Sequence, residues 1–285
     1  PRDNFMRTIE CAANQFLNVQ GDEIYILAGF PWFKCRARDL FVSLPGITLS
    51  LGKKELFEKI MRTAEKAIYD FMDDRRISVK IYEMEHPDVL LWAVWAIQQY
   101  ANEYGLEECR EKYGKMLIDI IKYLHDNRHP NLKLMPSCLV STRGTDKAVT
   151  WMNSTANGLP VVPRTGYVVE INALWYNALK FIQQMAELMD EKGVAAMLMR
   201  LSTIAGKAFT EIFLNEHGYL YDYVDGDYVD WSVRPNMILA SALDFSPLDR
   251  LQRKKVLDIV SRELLTPRGL RSLSPKSVGY NPNYV

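Results

Sequence analysis

Apolar residues recur at i, i+3 and i+4 along several long stretches of this chain, the period of a helix with one buried face. The first stretch runs from about Asp3 to Val19 and sets Phe5, Ile9, Ala12, Ala13 and Phe16 on one side. The same spacing predicts helices over roughly Arg38–Leu51, Lys54–Met72, Pro87–Glu103, Glu107–His125, Val169–Met189, Val194–Asn215, Arg234–Asp244 and Leu248–Leu265. Asp88 and Glu191 fall near predicted helix starts, where a carboxylate suits the positive end of the dipole. Strand signals are few and short, at Ser78–Tyr82 and Tyr219–Val224. Paired helices with connections of alternating length predict α-hairpins packed in a ring or bundle, an all-α fold forming one domain over residues 1–285. No solenoid-length repeat interrupts this pattern.

Composition narrows the partners more than the fold. Lys+Arg and Asp+Glu are both 35, so the formal net charge is zero. A nucleic-acid partner is normally met by a basic surplus, and a neutral ligand fits this balance better. The four cysteines (Cys11, Cys35, Cys109, Cys138) lack metal or redox spacing and read as reduced thiols, with two disulfides as the other arrangement the count allows. No signal peptide and no apolar run of about 18 residues is present, so a cytoplasmic protein with no membrane partner is expected. His125 and His129 stand four apart near a helix end, but Pro130 follows directly and no third ligand is in sight. No phosphate-binding glycine loop, dinucleotide motif, zinc-protease motif or nucleophile elbow occurs.

Three loops concentrate Trp, Tyr, Asp, Glu and Arg. That mixture suits sugars, because aromatic faces cover the apolar side of a pyranose while carboxylates and guanidinium groups bond its hydroxyls. The first runs from Ala28 to Asp39 and holds Trp32, Arg38 and Asp39; a helix-terminal carboxylate beside a surface arginine is its plainer reading. The second comprises Thr150-Trp151-Met152-Asn153, Arg164, and Glu170 through Tyr176, with Asn172 between; Glu170 sits in an apolar helical opening and reads equally as a dipole partner. The third, Asp222 through Asn236, alternates acids with aromatics, misses the twelve-residue calcium pattern, and reads as a solvated turn followed by a substrate-facing Arg234.

Taken in order, the segments AGFPWF and RDLFVSLPG (28–46), VTWMN (149–153), PRTGYVVEINALWYNAL (163–179), RPNMILA (234–240), TPRGLRSLSP (266–275) and the closing YNPNY resemble the C-terminal domain of glycogen debranching enzymes of the amylo-α-1,6-glucosidase type. The resemblance implies an (α/α)6 toroid, a six-hairpin glycosidase barrel. It also implies hydrolysis of the single α-1,6-linked glucose left at an α-glucan branch point, without metal or organic cofactor. Related barrels invert the anomeric centre with two carboxyl groups roughly 6.5–9.5 Å apart.

Carried over residue by residue, the resemblance puts the family's general acid, an aspartate after Thr-Trp-Met, at Asn153, where an amide cannot deliver a proton. Glu170 and Asp39 are then the fallback carboxyls. Trp32, Arg38, Trp151, Arg164, Asn172, Tyr176, Asp230 and Arg234 are expected to contact substrate, and Glu170→Ala to abolish glucan binding without unfolding. The opening at Pro1 and the closing YNPNY without a capping helix imply a piece of a longer protein. The N-terminal β-rich domain, the last barrel helices and the general base are expected to lie outside it. A catalytically degenerate glucan-binding domain on the same scaffold is the competing reading. A trehalase- or epimerase-like enzyme is a third; an epimerase would want histidines in these loops, and only His217 borders one.

Overall fold

The computed structural model describes residues 2–283; Pro1, Tyr284 of the closing YNPNY motif, and Val285 lie outside the described residues. The chain is all-α, and it divides into two compact units, Pro1–Pro130 and Asn131–Val285.

The first unit carries α1 (Arg2–Gln15), α2 (Ala37–Ile47), α3 (Lys54–Met72), α4 (Val89–Tyr104) and α5 (Leu106–His125). Helix α3 is amphipathic, burying Phe57, Ile60, Met61, Ala64, Ala67 and Ile68 at spacings of three and four. Helix α4 is apolar nearly all round, from Val89 to Ala101, and is the central element, packing against both α2 and α5. Two sequence expectations change here. The predicted first helix stops at Gln15, because Leu17–Gln20 pairs with Glu23–Ile26 as an antiparallel hairpin, turned at Gly21 with φ 63°. The apolar side of α1 is also not buried: Phe5 is 64% and Ile9 43% exposed.

The second unit is built on α6 (Val169–Leu188) and α7 (Lys192–Phe213), a tightly packed hairpin, with α8 (Ile238–Ala242) and α9 (Arg250–Glu263) beside it. Close approach within the hairpin uses Gly206, since a Cβ there would stand 3.0 Å from the Tyr176 ring. Helix α9 opens with a reciprocal cap between Asp249 and Gln252. The predicted helix over Arg234–Asp244 breaks into a 3-10 turn at Pro235–Met237 and the short α8. A small antiparallel sheet joins Tyr167–Val168, Tyr223–Asp225 and Tyr228–Val229, and so brings the start of α6 beside the loop that follows α7.

All four cysteines are free thiols, three of them buried. No helix among the described residues is long and apolar enough to cross a membrane.

Candidate active site

Arg164 organises the second unit's site. Its side chain is 1% exposed and lies between two carboxylates, Glu170 from the first turn of α6 and Asp222 from the sheet loop. Nη1 and Nη2 meet the two Glu170 oxygens as a fork, the second at 2.5 Å. Nε and Nη2 meet Asp222 Oδ2 and Oδ1 at 2.7 and 3.0 Å, and Nη1 also donates to Thr150 Oγ1 at 3.0 Å. This is the bidentate geometry that a guanidinium suits and an ammonium does not. Burial raises the proton affinity of the Glu170 carboxyl and Arg164 opposes the shift, while the two carboxylates hold the Arg164 guanidinium firmly charged.

The network reaches the Thr150–Asn153 loop by a second route. Asp222 Oδ1 accepts from Asn236 Nδ2 at 2.7 Å, and Asn236 Oδ1 accepts from the Trp151 indole at 2.8 Å. Trp151 is thereby pinned while its ring stays 45% exposed, and Asn153 follows it on the surface. Arg234 Nε stands 3.7 Å from Asp222 Oδ2, so two guanidinium groups balance two carboxylates. Gly144 lets the preceding loop lie against this centre, because a Cβ there would meet the Arg164 carbonyl oxygen at 1.7 Å.

Several expected substrate contacts have other duties. Arg164 spends every N–H of its guanidinium inside the protein, so it has none for a sugar hydroxyl. Glu170 is neither a lone dipole partner nor an open carboxylate, because Arg164 occupies both of its oxygens. Removing it would take two buried hydrogen bonds from Arg164, which would keep its pair with Asp222, so Glu170→Ala is expected to cost stability as well as to change the site. Asn172 is fully buried and completes the edge of the strand at Val140, accepting from Val140 N at 2.8 Å and donating to the Val140 and Val168 carbonyls at 2.9 and 3.1 Å. Tyr176 is half-buried against Gly206 of α7. Asp230 is buried and accepts from Ser232 N at 2.7 Å. The third loop is exposed at Asp225–Tyr228 and again at Trp231, whereas Asp222, Asp230 and Arg234 are buried.

The first unit places the Ala28–Asp39 segment. Arg38 is buried, not a surface arginine: Nε and Nη2 meet Asp88 at 2.7 and 2.9 Å, and Nη2 lies 2.7 Å from His86 Nδ1. Asp88 starts α4 without capping it, and instead accepts from Arg38 and from the Trp92 indole at 3.1 Å. Burial, with Arg38 alongside, lowers the His86 pKa, which favours the neutral ring that accepts from the guanidinium. Asp39, one residue on, stays exposed; partial burial of its carboxyl raises its pKa above the ordinary aspartate value. Trp32 is 84% exposed and borders a hollow of about 410 Å³ with Tyr82, Lys34 and Lys80.

Asp222, Thr150 and Asn236 lie in the candidate loops but received no site role from the sequence, Asp88 was read only as a helix-start carboxylate, and His86 is the histidine it did not place near those loops. The only available signal was polar residues in apolar helical surroundings, at Asp88 and Glu170. No group of three or more potential metal ligands occurs among the described residues, and His125 pairs with its neighbour Asp126 at 2.9 Å.

Residues 11–285 match the family described as amylo-alpha-1,6-glucosidase. The chain belongs to that family. Its domain is therefore of the glycoside hydrolase type, the α/α-toroid class is the family's fold, and carbohydrate is the family's class of substrate. No curated protein matches the chain.

Proposed function

We propose that this amylo-α-1,6-glucosidase family member is a glycoside hydrolase that removes α-1,6-linked glucose at branch points of α-glucans with inversion, and that residues 11–285 act as one glycosidase domain. The match of residues 11–285 to the family carries this reading. The exposed indole of Trp151, fixed from behind by Asn236, supports it, since a pre-ordered aromatic face covers a pyranose without losing rotamer freedom on binding. The role of Arg164 is to position that loop, not to touch sugar.

The acid assignment narrows on the same geometry. Glu170 is committed to Arg164, whereas Asp39 is exposed and has a raised pKa, the direction a general acid needs. Asn153 at the family's acid position favours a second reading, a glucan-binding domain without turnover.

Glucose release from a singly branched α-1,6-glucosyl dextrin tests both, using the chain as it stands, Asn153→Asp and Asp39→Asn. Release by the native chain that is lost in Asp39→Asn assigns the acid to Asp39. Release only after Asn153→Asp makes the native chain a binding form. No release from native or Asn153→Asp protein refutes the hydrolase reading.

A further inference from the structure

Asn153 stands between Trp151 and the short hairpin formed by Thr155–Ala156 and Leu159–Pro160, in neither helix nor strand, and it is exposed. Its backbone N donates to the Trp151 carbonyl oxygen at 2.9 Å, but its side-chain amide makes no hydrogen bond among the described residues. The next backbone N–H, that of Ser154, is unbonded among them as well. The other asparagines of this site are held. Asn172 spends its amide on Val140 and Val168, and Asn236 spends its own on Trp151 and Asp222.

Asparagine is thermolabile because the backbone nitrogen of the following residue can attack its side-chain amide. The attack needs an amide that is not tied down, a following N–H that is not paired, and a small side chain next in the sequence. Asn153 and Ser154 supply all three. As Ser154 N bonds to Asn153 Cγ, the Cγ–Nδ2 bond breaks; the N–H proton passes to solvent, and the amide takes a proton from solvent and leaves as ammonia. Water then opens the cyclic imide. Cleavage of the new N–Cγ bond gives aspartate, and cleavage at the Asn153 main-chain carbonyl gives isoaspartate. The net change is amide plus water to carboxyl plus ammonia, with water the only co-reactant. Because Asn236 pins the Trp151 indole at 2.8 Å, the new carboxyl appears beside an aromatic face that is already set.

We propose that Asn153 is a self-modifying position: in the folded chain it deamidates to aspartate, which puts a carboxyl two residues beyond the exposed Trp151 ring. Its effect on turnover rests on the second reading above, a glucan-binding domain without turnover, and makes that form the precursor of a hydrolase. The formal charge of the chain, zero from 35 basic and 35 acidic residues, falls by one with the change, so ion exchange separates the two forms.

The test incubates the full native chain, Ser154→Val and Asn153→Asp at neutral pH and follows residue 153 by peptide mass spectrometry. Fragment ions separate this conversion from any at Asn157, which precedes Gly158 in the hairpin turn. A protease that cuts before aspartate but not before isoaspartate separates the two products. The native chain should gain the aspartate form steadily, and faster in mildly alkaline buffer. Ser154→Val should convert several-fold more slowly, because its branched side chain crowds the attacking nitrogen. Near-ultraviolet circular dichroism confirms that this variant is folded. Glucose release from the branched dextrin should start near zero in fresh native protein and rise with the aspartate fraction toward that of Asn153→Asp. No conversion at Asn153, or equal conversion in Ser154→Val, overturns the proposal, and release by Asn153→Asp then leaves the hydrolase reading standing. Fresh native protein that already matches Asn153→Asp overturns the activation, the acid then being Asp39. No release from Asn153→Asp refutes the hydrolase reading instead, and the mass measurement then decides the modification alone.

Discussion

Replacing Arg164 by Met removes the guanidinium but keeps much of the volume, and so isolates the electrostatic role of the buried centre. The substitution strands Glu170 and leaves Asp222 only Arg234 Nε at 3.7 Å, both carboxylates having side chains no more than 2% exposed. Breaking a buried pair from one side costs about 3–5 kcal/mol, because the remaining charge stays desolvated. For a unit of this size that corresponds to a fall in Tm of about 6–20 °C. The variant also acquires a signed pH dependence. Two like charges in an apolar site hold protons more tightly in the folded state than in the unfolded one, so between the unfolded carboxylate pKa and the raised folded value the native state carries more protons. Stability of Arg164→Met therefore falls as pH rises through that window, and its deficit against the native chain is smaller at pH 5 than at pH 8. Adding Glu170→Gln should recover more than half of the loss, since the one remaining carboxylate, Asp222, is then balanced by Arg234. Urea unfolding at the two pH values, with hydrogen exchange at the α6 amides, measures all of this. A single variant within about 1 kcal/mol of the native chain at pH 8, or a deficit that grows on acidification, would refute the reasoning.

His129 is 4% exposed, and burial lowers its pKa from 6.5 to about 4. The native state thus binds fewer protons than the unfolded state between those values, so the first unit is stabilised above pH 6.5 and loses about 3 kcal/mol as pH falls to 4; thermal melts of His129→Leu should show a shallower acid slope, and an unchanged slope rules out His129 as its source. Asn172→Ala orphans the buried Val140 N–H and C=O at about 1–3 kcal/mol for each group left unpaired, and faster amide exchange at 139–141 than in the native chain is the local readout. In glucose release from the branched dextrin, Asn153→Asp should match the native chain if Asp39 is the acid, and an excess over the native chain supports the binding-form reading instead.

The sequence was most legible where one periodic face met one core. The bounds of α3 were predicted to the residue, because its apolar positions recur at three and four and nothing competes with them. Helix α1 was overrun because Val19 continues the apolar period, whereas the pairing of Leu17–Gln20 with Glu23–Ile26 depends on a turn at Gly21 that local spacing underweights. Arg234–Asp244 read as one helix, but Pro235 begins a separate 3-10 turn and Leu243 leaves the helical region at ψ 149°. At the site, Glu170 was recognisable as a charge in apolar company. Its meaning was not, since Asp222 completes the centre from 58 residues beyond Arg164. Arg38 and Asp88, 50 residues apart, show the same limit.

That limit bears directly on chemistry. Sequence reasoning ranked Glu170 and Asp39 together as substitute acids, because both are carboxyls next to a helix start in motif-bearing segments. A general acid must give its proton to the substrate in one step and regain it in another, which requires a carboxyl whose oxygens are reachable and whose protonation is not tied to a partner. Glu170 has a raised pKa, yet both oxygens are in the Arg164 fork, and protonating either would dismantle the contact that also holds Asp222 and, through Asn236, Trp151. Asp39 has the raised pKa without that commitment: its neighbour Arg38 is already satisfied by Asp88. The two residues therefore separate under substitution. Glu170→Gln should show itself first in stability and in the setting of Trp151, and Asp39→Asn in turnover with the melting curve nearly unchanged.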